Sequence, residues 1–233
     1  MLSIIIPAHD EAALIGATLA ALRAAAATLH LDHEILVVDD ASTDATAAIA
    51  EASGARVVHV THRQIAATRN AGAEAARGDR LLFVDADTLV DATVLTAAIA
   101  AMDAGAVGGG CRVRLAGHVR WRERALAGAL TQVLRWMKIA PGCFMFCTRD
   151  AFDAVGGFDL RWYAGEDVAM SRAMAAHGRF VLLREAVLTS DRKLRTFTVG
   201  EHLRFLWRFM RSGRSVLRSR DALDIWYDRR DVE

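Results

Sequence analysis

Two hydrophobic periods alternate along the first part of the chain. "SIIIP", "EILVVD", "RVVHV" and "RLLFV" are near-continuous Val/Ile/Leu runs, the pattern of strands buried on both faces of a parallel sheet. Between them lie longer Ala-rich segments of helical period, with stop signals such as Gly54 and Gly78. The pattern predicts strands over 3–7, 34–39, 56–60 and 80–84 and helices over 11–27, 43–53, 64–77 and 91–103. Strand and helix in alternation with short connections imply an α/β fold, doubly wound about a mostly parallel sheet.

Beyond residue 105 the alternation loosens. A strand over 105–115 is entered through a Gly-rich turn, and "GHVRWRERALAGALTQVLRWMK" reads as a basic, aromatic helical stretch. A strand over 142–148, a turn at "AVGGFD", a helix in "GEDVAMSRAMAAHG" and one or two strands in "RFVLLREAVLTS" follow. No Pro-rich or Ser-rich linker separates the parts. The expected organisation is one domain over 1–191, in halves 1–104 and 105–191, with a helical C-terminal extension over 192–233.

Composition leaves this picture intact: 53% hydrophobic and 24% charged residues are ordinary for a globular chain. Charges interrupt the apolar stretches well before about 18 residues, and "MLSIIIPAHDEA" lacks a basic leader, so a soluble, cytoplasmic protein is expected. Cys111, Cys143 and Cys147 form no zinc-like pair of pairs, and "GCFMFC" reads as a buried strand, which favours core packing over metal or redox work.

Charge changes the picture more. The net +1 divides into 6 Lys+Arg against 14 Asp+Glu over 1–110, and 23 against 14 over 111–233. An acidic half suits a metal site, and a basic half suits phosphates or an anionic membrane surface.

Ligand crevices of such sheets lie at the carboxyl ends of the strands. There this chain places "PAHDE" after the first strand, "DDASTD" after the second and "DAD" after the fourth. On a strand, Asp85 and Asp87 would point to one side, and like charges that close need something positive between them. Two such carboxylates can hold Mg²⁺ or Mn²⁺ and leave positions for phosphate oxygens; strand-end capping or solvation is the alternative. Ser42, Thr43 or Asp44 is explained by capping of the next helix, but capping does not need the pair Asp39 and Asp40 before them.

Four segments, "SIIIPAHDEAALIGATLAAL", "EILVVDDASTDAT", "ATRNAGAEAARGDRLLFVDADT" and "AVGGFDLRWYAGEDVAMSRAMAAHG", resemble in this order the successive motifs of the family 2 inverting glycosyltransferases of GT-A fold. The resemblance implies a nucleotide-diphospho-sugar donor, with a uridine base favoured, a divalent metal, and transfer with inversion. It puts Pro7 to Glu11, His9 among them, at the nucleotide pocket. Asp40, beside Asp39, would accept from the base, and Arg69 would stand near the diphosphate. Asp85 and Asp87 match the family's D-x-D, with Asp87 as the more direct metal ligand. Glu166 and Asp167 match its acidic pair, of which the second is the expected base; without the other motifs they read as first-turn acids complementing a helix dipole.

The chain departs from the family in three ways. Asp10 stands where Asn is common, and the Q-x-x-R-W signature of processive relatives is missing, which points to addition of a single sugar. Where many members carry a metal-completing His, the chain reads "AVLTSDRKLR", so either Asp191 substitutes as an oxygen ligand or no third ligand exists; His202 is off pattern. His177, near a helix end, fits a helix-end or surface role.

In "VGEHLRFLWRFMRSG", Leu203, Leu206, Trp207 and Met210 share a helical face opposite Arg204, Arg208 and Arg211. Residues 192–220 carry nine basic groups against one acid, Glu201. Such a helix either packs on the domain or lies on an anionic membrane, which would suit a lipid-linked acceptor and a peripheral position on the inner face of the membrane. Nucleic acid is not expected, since no binding module accompanies the charge. Two other functions fit the paired acids. A nucleotidyltransferase would need a Gly-rich basic loop where "PAHDEAALIG" is acidic, and a noncatalytic nucleotide-sugar-binding protein would not need Asp167.

Overall fold

The computed structural model describes residues 1–29, 31–115 and 139–190. The helical stretch expected within 117–138, the extension over 192–233, and Asp191 and His202 lie outside the described residues.

Strands β1 (Leu2–Ala8), β2 (His33–Asp40), β3 (Arg56–Val60) and β4 (Arg80–Val84) alternate with helices α1 (Ile15–Ala27), α2 (Thr46–Ala52) and α3 (Ile65–Ala75). After the two-residue strand β5 (Thr88–Leu89) come α4 (Ala92–Asp103), β6 (Gly108–Leu115), β7 (Phe144–Thr148), α5 (Arg149–Val155), α6 (Glu166–His177) and β8 (Phe180–Thr189). All eight strands join one sheet in the order β3-β2-β1-β4-β7-β6-β8-β5. Six strands run in one direction, while β7 and β5 oppose it. The sheet is therefore mostly parallel, as the sequence implies.

Alternation of side chains builds two cores. Ile4, Ile6, Val37, Leu82 and Val84 face α1, α2 and α4, where Leu19, Leu22, Leu95 and Ala98 meet them. Ile5, Leu36, Val38, Leu81 and Phe83 face Ala66 and Ala73 of α3, Phe152 of α5 and Met170 of α6. Each fully buried Leu, Ile or Phe contributes about 1.5–3 kcal/mol, and a one-residue slip would exchange the two faces, so the register is strongly held.

Among the described residues the strand bounds follow the hydrophobic runs closely, and the differences are local. The helix expected from residue 11 begins at Ile15, because residues 12–14 form a turn. The helix expected from residue 43 begins at Thr46, and its N-cap, Ala45, has no side-chain cap. Ser42 and Thr43 instead bind the first loop: Ser42 Oγ accepts from the Asp10 amide (3.0 Å), and Asp10 Oδ1 accepts from the Thr43 amide (2.7 Å). The part of "AVGGFD" that includes Ala154 and Val155 closes α5, and the turn proper is Gly156 and Gly157, both with positive φ.

Helix α3 is pressed against the sheet. A Cβ on Gly72 would come within 2.3 Å of Ile5 Cγ2 and 2.8 Å of Val38 Cγ2, so the helix backbone lies directly on those two side chains. Arg69, one turn earlier on that face, is thereby carried under the strand ends. Both ends of α3 are tied down by charge. Asp40 accepts from the amides of Arg63 (2.8 Å) and Gln64 (3.2 Å) at its start. At its end Arg149 donates to the carbonyls of Ala73, Ala76 and Gly78. An anion at the N-terminus and a cation at the C-terminus both suit the helix dipole.

Candidate active site

The parallel strands β1, β2 and β4 end at one edge, and β7 begins there, so the loops after Ala8, Asp40 and Val84 meet the loop before Phe144. The chain passes through left-handed backbone at Asp10, Ala41 and Arg63, just after β1, β2 and β3. Non-glycine residues rarely adopt that conformation, and such strain collects at functional sites.

The first two loops are laced together. Besides the Asp10 bonds, Thr46 Oγ1 accepts from the Glu11 amide (2.8 Å) and Asp44 from the Ala12 amide (3.1 Å). His9 lies 2.8 Å from the Asp40 carbonyl and contacts the guanidinium of Arg63. Pro7, one residue before the end of β1, is in register with Val38, while pairing of β1 with β4 stops at Ile5 and Phe83.

Asp39 and Asp40 part to opposite faces. Asp40, 5% exposed, spends its carboxylate on the start of α3, taking a further bond from Thr68 Oγ1 (2.8 Å). Asp39, also 5% exposed, meets His59 at 3.2 Å through Oδ2. Its Oδ1 is buried without a hydrogen-bond partner among the described residues.

The centre of the site is Arg69. It is 2% exposed and donates to Glu166 Oε1 (2.7 Å), Asp85 Oδ1 (2.9 Å) and the Gly142 carbonyl (2.9 Å). Its guanidinium stands 5.2 Å from the centroid of the Phe158 ring. Burial opposes the charge, yet Asp85, Glu166 and Asp167 raise the affinity of Arg69 for its proton, so it remains a fixed cation. This residue lies behind the carboxylates, which is where the positive charge between acids is found.

Asp85 and Asp87 sit differently from strand neighbours. Strand β4 stops at Val84, and Thr88 donates its amide to the Asp85 carbonyl (3.1 Å), so the pair flanks Ala86 in a turn. Asp85 is drawn to Arg69, while the hydroxyl of Thr189 lies 3.3 Å from Asp87 Oδ1. The turn is anchored from below by Thr18, whose hydroxyl donates to the Ala86 carbonyl (2.8 Å).

Glu166 and Asp167 open α6 behind Gly165, which has φ 78°. Burial raises Glu166 to about 7 against the pull of Arg69, with Asp167 adding to the rise. Burial also raises Asp167 above the usual carboxylate range, again against Arg69. Asp167 Oδ2 accepts from the Gly142 amide (2.9 Å). Gly142 therefore receives Arg69 on one side and holds Asp167 on the other, and a Cβ there would lie 3.2 Å from Asp167 Oδ2.

The structure thus joins Arg69 directly to Asp85 and Glu166, and through Gly142 to Asp167, with Asp87 two residues from Asp85, and gathers His9 and Asp40 in the adjoining loops. Gly142, Phe158 and Asn70 have structural roles that no sequence motif assigned to them. Asn70 brackets Phe158, donating to its carbonyl (2.9 Å) and accepting from its amide (2.8 Å). The adjacency of Asn70 to Arg69 in "TRNAG" was the signal available.

A divalent cation fits the donor set at the β4–β5 turn, since two hard carboxylates can bind Mg²⁺ or Mn²⁺ and leave the remaining positions to phosphates and water. Among the described residues no cluster of three His, Cys, Asp or Glu completes a cation cage. Cys111 and Cys147 are buried core thiols whose pKa burial raises, in keeping with the packing role expected of them.

The mostly parallel sheet and its flanking helices have the fold of the GT-A glycosyltransferases. The chain belongs to glycosyl transferase family 2, whose model matches residues 3–160. It is similar in fold to the mannosyltransferase PcManGT from Pyrobaculum calidifontis in complex with GDP-Man and Mn²⁺, with TM-score 0.67 and 21% identity over 93% of this chain and 62% of that one. It is similar also to S. aureus TarS in complex with UDP-GlcNAc, with TM-score 0.62 and 20% identity over 81% and 58% of the two chains. Glucosyl-3-phosphoglycerate synthase from Mycobacterium tuberculosis in complex with Mg²⁺ and uridine diphosphate matches with TM-score 0.59 and 20% identity over 80% and 69%. A stretch of 63 residues is 38% identical to the putative glycosyltransferase EpsH of Bacillus subtilis, covering 25% of this chain and 18% of that protein.

Proposed function

We propose that the protein transfers one sugar, with inversion, from a nucleoside-diphosphate sugar to an acceptor hydroxyl, with Asp167 as base and Asp87 and Asp85 as ligands of Mg²⁺ or Mn²⁺. The observation that carries the proposal is the convergence of Asp85, Glu166 and Asp167 on the buried Arg69. It brings the D-x-D turn and the acidic pair, separated by about 80 residues of sequence, to one end of the sheet. Nucleotide sugars named with two similar structures, and uridine diphosphate with a third, support the donor class.

In this reading the loops after β1 and β2, with Pro7, His9, Glu11, Asp39 and Asp40, hold the nucleotide. The metal, when bound, stabilises charge on the departing diphosphate. Asp167 takes the proton of the acceptor hydroxyl while that oxygen attacks the anomeric carbon from the opposite face. Burial favours this role, because a carboxylate with a raised pKa is a stronger base near neutral pH. The Gly142 amide fixes the orientation of Asp167, and Glu166, held on Arg69, fixes the start of α6. Arg69, 2% exposed and bonded to Asp85 and Glu166, acts here as a positioning residue.

Among the described residues no helix is long and apolar enough to cross a membrane. A lipid-linked acceptor on the cytoplasmic face, reached through the basic segment 192–220, is the acceptor class that composition supports.

Replacement of Asp167 by Asn tests the assignment. The expected result is loss of transfer by about 10²–10⁴-fold with donor binding retained. Transfer at the wild-type rate removes Asp167 as base, whereas donor binding without transfer by the wild-type protein favours a noncatalytic nucleotide-sugar-binding protein.

A further inference from the structure

We propose that Arg69 is a shared counter-ion, coupling cation binding at the Asp85–Asp87 turn to the setting of the Glu166–Asp167 helix. The inference rests on the reading of that turn as a cation site and adds a link between the two halves of the site.

The guanidinium bonds to three separate elements: the turn after β4, the loop before β7, and the start of α6. Each bond is between 2.7 and 2.9 Å, and the group is 2% exposed, so water cannot replace a partner that leaves. Phe158 closes one face at 5.2 Å, held in turn by Asn70 from the same helix. The Nε atom is buried without a hydrogen-bond partner among the described residues, so the cation's two terminal nitrogens make all of its polar contacts there.

Competition is built into this geometry. Asp85 Oδ1 already accepts from Arg69, and a divalent cation between Asp85 and Asp87 draws on the same carboxylate charge. A guanidinium is always charged, so it cannot relieve the conflict by losing a proton. Its remaining acceptors are Glu166 and the Gly142 carbonyl, and Gly142 holds Asp167 through its amide. Cation binding on one side therefore strengthens the hold of Arg69 on the other. Linkage makes the effect reciprocal: weakening Glu166 as a partner returns Arg69 to Asp85 and lowers cation affinity.

Titration with Mn²⁺ alone, with free ion read by electron paramagnetic resonance, tests the coupling in the full chain. Glu166→Gln keeps the shape of the side chain and is not a cation ligand in this account. It is expected to raise the Mn²⁺ dissociation constant about 5-fold or more, and that increase is expected to vanish in an Arg69→Met background. If Arg69→Met does not fold, Arg69→Lys serves in its place, because a single ammonium cannot fork between the two carboxylates. There the effect of Glu166→Gln is expected to fall below about twofold. An unchanged dissociation constant in Glu166→Gln, or an equal increase with and without Arg69, overturns the coupling and leaves the proposed function standing. Failure of the wild-type protein to bind Mn²⁺ overturns both.

Discussion

One guanidinium faces three carboxylates at the heart of the site, and each residue of the cluster bears a consequence of that arrangement. Removing Arg69 leaves Glu166 and Asp85 without their cation; Arg69→Met is expected to cost about 3–5 kcal/mol, read by chemical denaturation. A second outcome concerns pH. Asp167 must be ionised to accept a proton, and burial raises its pKa above the ordinary carboxylate value. As pH falls through that raised pKa, kcat/KM is expected to fall, so the acid limb should lie above the value near 3.9 of an exposed aspartate. A limb at the exposed value would contradict the burial of the base. Of these residues, Asp85, Asp87, Glu166 and Asp167 could be read from their motifs because strand ends and helix starts are visible in sequence. The partners of Arg69 could not be read, since its bond to Glu166 spans 97 positions and depends on packing. Gly142 escaped notice for a similar reason: its backbone makes the contacts, and its side chain carries no signal.

At the scale of elements, α3 connects the sheet to the chemistry. Its residues divide the work: Thr68 bonds to Asp40, Arg69 to Asp85 and Glu166, and Asn70 to Phe158, while Gly72 lets the helix lie against Ile5 and Val38. Gly72→Ala forces a Cβ into side chains at 2.3 Å, and a loss of about 1–3 kcal/mol is expected from overpacking. A helix displaced in this way also draws Arg69, the competitor for Asp85, away from that carboxylate, so Mn²⁺ affinity should rise as stability falls. Unchanged denaturation and Mn²⁺ binding would show that the sheet face is looser than the packing implies. Hydrophobic period revealed the strands and most helices because each is buried on a defined side. Helix α5, of seven residues, is too short for the period to register, and of the three capping candidates Asp44 accepts from the amide of Thr46 at the helix start (2.9 Å), while Ser42 and Thr43 bind the neighbouring loop.

Across the whole molecule, the sheet brings the acidic first half and the Glu166 helix to one edge, while the basic charge lies mainly in the second half. The doubly wound architecture was legible because strand and helix alternate without interruption up to β4; the reversal of β7 and the crossing of β8 to the far side were not, since strand order is set by tertiary pairing. If the basic segment 192–220 engages a membrane, the protein should sediment with anionic vesicles and be released by salt. Equal sedimentation with neutral vesicles, or none, would count against a membrane-bound acceptor. The central claim, that the loops after β1 and β2 and the Asp85–Asp87 turn together bind a nucleotide sugar through a metal, is tested most directly by thermal denaturation. The measurement uses UDP- and GDP-sugars with and without Mn²⁺, for the wild-type protein and Asp87→Ala. The account predicts a rise in melting temperature with one donor that needs Mn²⁺ and is lost in Asp87→Ala. No donor-dependent rise, or one that persists without Mn²⁺ and in Asp87→Ala, would contradict it.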